Sequence, residues 1–210
     1  MDQCLSDIFC IFSKIIIAAS SKDVIPMKQV PTMIEIRQQH SEDWDSLWLI
    51  FQDIIKEGTS YAYDAITTRE QFVESWMGRG GEQWVACNDG QLLGAYTLRE
   101  NQPGRGSHIA TASYIVAASA RGQRVGTQLG EHSIQRATEL RYTGIQFNFV
   151  VSTNTAAVKL WLRLGFAIVG TLPSAFRHSR LENVDCYVMF KKLEPAGYEN
   201  LNCNKNAIPK

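Results

Sequence analysis

From Met33 onward the chain switches between two hydrophobic periods. Met33-Ile34-Glu35-Ile36-Arg37 alternates apolar and polar positions and predicts a short strand. Trp44, Leu47, Trp48, Phe51, Ile54 and Ile55 then recur at three- and four-residue steps. They predict a helix opened by Ser41 and Asp43, running through Lys56 and closed by Gly58. Residues 59–64 form an aromatic, loop-like stretch, and Thr67-Thr68-Arg69-Glu70 reads as the start of a second helix carrying Phe72, Trp76 and Met77. That helix stops at the glycine-rich residues 78–81. Period two returns over residues 83–88 and 92–98, on either side of Asn88-Asp89-Gly90, a strong hairpin signal. After a wide turn at 101–106, a third strand runs from about His108 to Val116.

The second half repeats strand and helix. Over residues 125–141, Val125, Leu129, Gly130, Ser133, Ala137 and Leu140 fall within one half-circle at 100° per residue, with Ile134 at its edge. Gln128, Glu131, His132, Gln135 and Glu139 occupy the other half, so His132 is expected on a solvated face with no chemical role. Residues 146–151 predict a strand in which Phe147, Phe149 and Val151 share one face and Gln146 and Asn148 the other. Strand, helix and strand together imply a right-handed crossover with parallel pairing. Asn154 then caps a helix over 155–164, whose buried stripe is Ala156, Ala157, Leu160, Trp161 and Leu164. Gly165 closes it, residues 166–172 give another strand, 173–183 a polar connection and 184–190 a last strand.

The ends stand apart. Residues 8–19 are apolar except for Ser13 and Lys14, too short a run to span a bilayer, and the acidic character of residues 1–7 argues against a signal peptide. An amphipathic anchor, a docking helix and a disordered leader are all open, and Met27 and Met33 leave room for a later start. The expected organisation is an extension over 1–32 without an assigned role, one domain over 33–193, and a polar tail over 194–210.

Composition narrows the classes. Twenty-one basic residues balance 21 acidic ones, which takes weight from nucleic-acid binding. Cys4, Cys10, Cys87, Cys186 and Cys203 are dispersed without a C-x-x-C pair, which fits reduced thiols in a cytoplasmic protein and no metal site.

The stretch with the clearest chemistry runs from Tyr114 to Thr127. Tyr114-Ile115-Val116 ends a strand, and Arg121-Gly122-Gln123-Arg124-Val125-Gly126-Thr127 carries the chain into a helix. First-turn N–H groups lack intrahelical partners, the helix dipole favours an anion, and two arginines supply forked donors. A phosphate cradle and an ordinary strand-to-helix connection with solvated arginines are both open on these residues alone. Asn148 has likewise two readings: a structural hydrogen bond, or a group aimed into a cleft.

Arg121-Gly122-Gln123-Arg124-Val125-Gly126 resembles the pyrophosphate loop of the GNAT acetyltransferase superfamily, Arg/Gln-x-x-Gly-x-Gly/Ala. The stretch from Asn154 to Phe166, which ends in Gly165-Phe166, is similar to the family's second signature and begins 28 residues after Gly126. The resemblance covers about residues 33–193. It implies an α/β (α+β) fold: a mixed, mostly antiparallel sheet of six to seven strands, about four helices, and one parallel β-α-β crossover carrying the pyrophosphate loop. It further implies acetyl-CoA as co-substrate, bound by Tyr114, Ile115, Val116, residues 121–127 and Asn154, and an amine acceptor.

A narrower likeness is to fungal acetyltransferases of proline analogues such as azetidine-2-carboxylate, and equally to bacterial relatives. In the fungal group the asparagine matching Asn148 is implicated in catalysis. A further asparagine of that group falls at Thr111 here. Two positions depart from the superfamily: Arg124 stands where a glycine is usual, and Trp161 where a tyrosine often protonates the leaving thiolate. Indole N–H cannot serve as that acid. The implied function is direct acetyl transfer to a small amino or imino acid-like amine. Protein or peptide acetylation, a non-catalytic CoA sensor and a homodimer all remain open. Glu57, Glu100, His108 and His178 are the candidate bases.

Overall fold

The computed structural model describes residues 33–78 and 80–194; the readings for residues 1–32 and for most of the tail lie outside them. Strands β1 (Glu35–Gln38), β2 (Glu82–Asn88), β3 (Gln91–Glu100), β4 (Ile109–Val116), β5 (Gly144–Val151), β6 (Ala167–Arg177) and β7 (Asn183–Lys192) form one sheet in the order β1-β2-β3-β4-β5-β7-β6. All neighbours are antiparallel except β4 and β5. Four α-helices accompany them: α1 (Trp44–Glu57), α2 (Arg69–Met77), α3 (Val125–Glu139) and α4 (Thr155–Arg163). The expected mixed sheet and its single parallel crossover are both present.

The two periodicities pack on opposite faces of the sheet. Leu47, Phe51 and Ile55 of α1 and Phe72 and Trp76 of α2 bury against Val85, Cys87, Ala95 and Ile115, with the Phe51 and Phe72 rings stacked 4.3 Å apart. On the other face Val125, Leu129 and Ala137 of α3 and Trp161 of α4 meet Tyr96, Leu98, Phe147 and Phe166. Each large side chain so buried contributes about 1.5–3 kcal/mol. Local signals act where expected. Thr68 caps α2 in a capping box with Gln71, and the Asn154 side chain accepts from the Ala157 N–H at 3.2 Å.

Four details differ from the sequence reading. Residues 41–43 form a single 3-10 turn, and α1 starts at Trp44. Strand β6 continues through Pro173 to Arg177, because a register break between Leu172 and Phe176 lets an edge strand absorb the proline. In β5 an extra residue is inserted between Phe147 and Val150. This bulge inverts the alternation: Phe147 and Val150 belong to the core under α3 and α4, whereas Val151 packs with Phe176 and Cys186, and Phe149 lies edge-on to Phe176. The three apolar residues therefore do not share a face.

His132 is also not solvated. It is half-buried beside Trp84, and its Nδ1 lies 2.7 Å from the Tyr96 hydroxyl. A one-helix projection cannot show this, since the cover comes from β2 and β3.

Candidate active site

The chain from β4 to α3 builds an anion cradle. After a 3-10 turn at Ala118–Ala120, Gly122 adopts φ +81° and Arg124 φ 64°. Both are left-handed, and a side chain at Gly122 would have open space but strained backbone. Among the described residues, no acceptor takes the N–H of Gly122, Arg124, Val125, Gly126 or Thr127; the first bond into α3 is Gln128 N–H to Arg124 carbonyl, 3.0 Å. Five free amides thus gather at a helix N-terminus, where the dipole adds to their pull on an anion. Gln123 instead folds back, its Nε2 donating to the Ser119 carbonyl at 2.8 Å. Arg124 is exposed. Arg121 is held by the Glu57 carboxylate at 2.9 and 3.0 Å, which joins the loop to the end of α1.

From this loop a groove follows β4. The parallel strands pair only at Ile109–Gly144 and Ala110–Ile145, then separate. Asn101 N–H donates to the Ile109 carbonyl and Ala117 N–H to the Leu93 carbonyl, both at 2.8 Å. These two bonds set the phase of the ladder: Thr111, Ser113 and Ile115 turn their main-chain groups to β3, and Tyr114 and Val116 turn theirs to the open side. The Tyr114 carbonyl there accepts from the Tyr61 hydroxyl at 2.8 Å, which ties the aromatic loop to the groove. The Ile115 side chain is buried on the α1/α2 face.

Tyr114 seals the groove from the other side. Its ring packs on Trp161 at 4.7 Å, and its hydroxyl meets the Ser133 Oγ at 2.6 Å, which donates onward to the Gly130 carbonyl. Burial pushes the Tyr114 and Tyr61 hydroxyls well above the usual phenol range, so both stay protonated donors. Trp161 is buried among Tyr114, Phe147 and Phe166.

Asn148 stands exposed at the β5 bulge, where the strands have parted. Its Nδ2 donates to the Asn101 Oδ1 at 2.6 Å, and its Oδ1 accepts from Gln146 Nε2 at 2.7 Å. The side-chain amides of Asn101, Asn148 and Gln146 thus form one hydrogen-bonded row. Asn101, one residue past β3, belongs to the 101–106 turn, which its place over the sheet makes an expected substrate wall; its bond to Asn148 is not visible in the sequence. Asn154 lies at the start of α4 with its oxygen committed to the helix cap.

The candidate bases are dispersed. Glu57 is paired with Arg121. His178 Nδ1 accepts from the N–H groups of Arg180 and Leu181 at 3.1 and 3.2 Å, and His108 is exposed.

Residues 40–166 match the model of the acetyltransferase (GNAT) family. The chain belongs to the GNAT family. Its members are acyl-CoA-dependent N-acetyltransferases. A solved GCN5-related N-acetyltransferase from Kribbella flavida is 41% identical, with a TM-score of 0.74 over 78% of this chain and 99% of that one. The N-acetyltransferase aca1 of Schizosaccharomyces pombe is 35% identical over 109 residues, which are 50% of this chain and 52% of that protein. The L-amino acid N-acetyltransferase AaaT of Escherichia coli is 33% identical over 112 residues, 52% of this chain and 67% of that protein. The chain thus spans about half the length of the fission yeast relative. No helix among the described residues is long and apolar enough to cross a membrane.

Proposed function

We propose that this chain moves an acetyl group from acetyl-CoA to the amine of a small amino or imino acid, with both substrates bound together. The observation that carries the reading is the continuity of cradle, groove and amide: five free N–H groups at the start of α3, a gap where β4 leaves β5, and Asn148 at the bulge beside that gap. The similarity to AaaT supports an amino acid as acceptor.

Acetyl-CoA supplies an acyl group already activated as a thioester. The chain's own part is binding, orientation and proton handling. The N–H groups of Gly122 and of residues 124–127 hold the diphosphate, with the exposed Arg124 adding a fork; charge-assisted hydrogen bonds contribute about 1.5–3 kcal/mol each. The open-side N–H groups of Tyr114 and Val116, and the Asn148 amide, offer donors to an oxygen that gains charge. The free Nδ2 of Asn154 faces no acceptor among the described residues and is left for a cofactor contact. Trp161 is no acid, so as the C–N bond forms and the C–S bond breaks the leaving thiolate takes its proton from the attacking amine or from water.

The acceptor must arrive neutral. An amine near pKa 10.4 costs about 4.6 kcal/mol to deprotonate at pH 7, so the site must pass the amine's proton to water or to a nearby base.

The test is thiol release from acetyl-CoA across L-amino acids, imino acids, polyamines and peptides. Release with amino or imino acids is expected, and Asn148→Ala should lower kcat by about 10²–10³ with coenzyme A affinity unchanged. Release on peptides or polyamines alone would overturn the acceptor class. Tight coenzyme A binding without release on any amine would point to a sensor.

A further inference from the structure

On the α1/α2 side of the sheet, next to the groove, lies a pocket whose walls include Tyr61, Tyr63, Trp76, Thr97, Arg99 and Ser113. Tyr61 connects it directly to β4 through the Tyr114 carbonyl. Thr97 faces Ser113 and Arg99 faces Thr111 across the β3–β4 ladder, so Arg99 sits one strand in from the open side of β4. No acidic side chain lines the pocket among the described residues.

Arg99 is unlike its fellows. Three arginines are half-buried among the described residues: Arg37, Arg99 and Arg136. Arg37 is matched by Asp43 at 2.8 Å, and Arg136 by Glu82 at 2.7 Å and Glu139 at 2.6 Å. Arg99 makes no ion pair or side-chain hydrogen bond with any described residue. A guanidinium drawn partly out of water without a counter-charge is costly, and a planar carboxylate is its best geometric match. Aromatic walls suit an apolar side chain or ring, and the hydroxyls of Thr97 and Ser113 offer further hydrogen bonds.

We propose that Arg99 is the residue that selects a free α-carboxylate on the acceptor. It pairs with the carboxylate inside the aromatic pocket, while the amine, one carbon away, points toward the open side of β4. The acceptor is then an α-amino or α-imino acid with an apolar side chain or ring. Peptide-linked residues, polyamines and amino acid amides lack the anion and are poor acceptors. The assignment rests on the acetyltransferase reading given above, whose donor half it leaves untouched.

The experiment compares matched acceptors that differ only at the carboxyl: leucine with leucinamide, and proline with prolinamide. Thiol release is followed for the full chain, Arg99→Ala and Arg99→Lys, and acceptor binding to each coenzyme A-loaded protein is measured by calorimetry. The wild type should prefer the acids. Arg99→Ala should raise KM for the acids on the order of 10²-fold, leave the amides nearly unchanged and keep coenzyme A affinity. Arg99→Lys should recover part of the loss, since it restores charge without the fork. Equal turnover of acids and amides that is insensitive to Arg99 would overturn the carboxylate assignment and leave acetyl transfer standing. Absence of both turnover and binding for every acid, with coenzyme A still bound, would overturn the acceptor reading as well.

Discussion

Asn148 and His132 show how far a single side chain is set by elements remote from it in sequence. Asn148 sits where β5 carries one residue more than β7, and the insertion brings its amide into line with Asn101 and Gln146. Alternation alone places Asn148 on the polar face but cannot reveal an inserted residue, so it puts Phe149 and Val151 on the same face as Phe147, from which the bulge separates them. His132 lies under Trp84 and bonds Tyr96, with Glu82, Arg136 and Glu139 around it. Burial is the largest cause that holds its pKa below the ordinary value of about 6.5. The neutral ring is therefore the folded form, and the unfolded chain binds the extra proton. This contribution is complete above pH ~6.5 and is lost as pH falls from there toward the depressed folded pKa. Asp43, Glu82 and Glu139 have pKa values lowered mainly by hydrogen bonds from Arg37 or Arg136, so their contributions fade only at more acidic pH. Thermal melting should fall between pH 7 and 5 in the wild type and less steeply in His132→Gln. Parallel pH profiles would refute the assignment.

At the scale of elements, the loop between β4 and α3 was largely legible. Its glycines, arginines and helix start are contiguous, and local geometry follows from contiguous residues. Gly126 illustrates what the loop requires. A Cβ there would meet Leu160 Cδ2 at 3.5 Å, an ordinary contact, so Gly126→Ala should fold and bind normally. Gly126→Glu should fold too, since an acidic residue suits a first helical turn. It should nevertheless weaken coenzyme A binding by roughly 10² or more, because a carboxylate then competes for the free amides. Unchanged affinity by calorimetry in that variant would remove the cradle. The pairing of Arg121 with Glu57 was not legible, because it joins two elements 64 residues apart. Nor was the length of β6, whose pairing with β7 outweighs the polar composition of residues 173–177.

At the scale of the whole molecule, the sheet divides its labour. Two helices on each face bury most of the apolar stripes that the sequence displays, with Leu140 and Ala156 left exposed at the ends of theirs. The feature on which the proposed site depends is the early end of β4–β5 pairing after Ala110 and Ile145. No residue pattern announces it, since strands that separate and strands that pair have the same alternation. The separation places the open-side N–H groups of β4, the cradle of α3 and the Asn148 amide along one path, with Arg99 and the aromatic loop across the sheet from α3. A crystal structure of the acetyl-CoA complex measures this directly. The account predicts diphosphate oxygens within hydrogen-bond distance of the Gly122 and 124–127 amides and a thioester lying between β4 and β5 beside Asn148. A diphosphate bound elsewhere, or a gap between the strands filled by side chains, would contradict it.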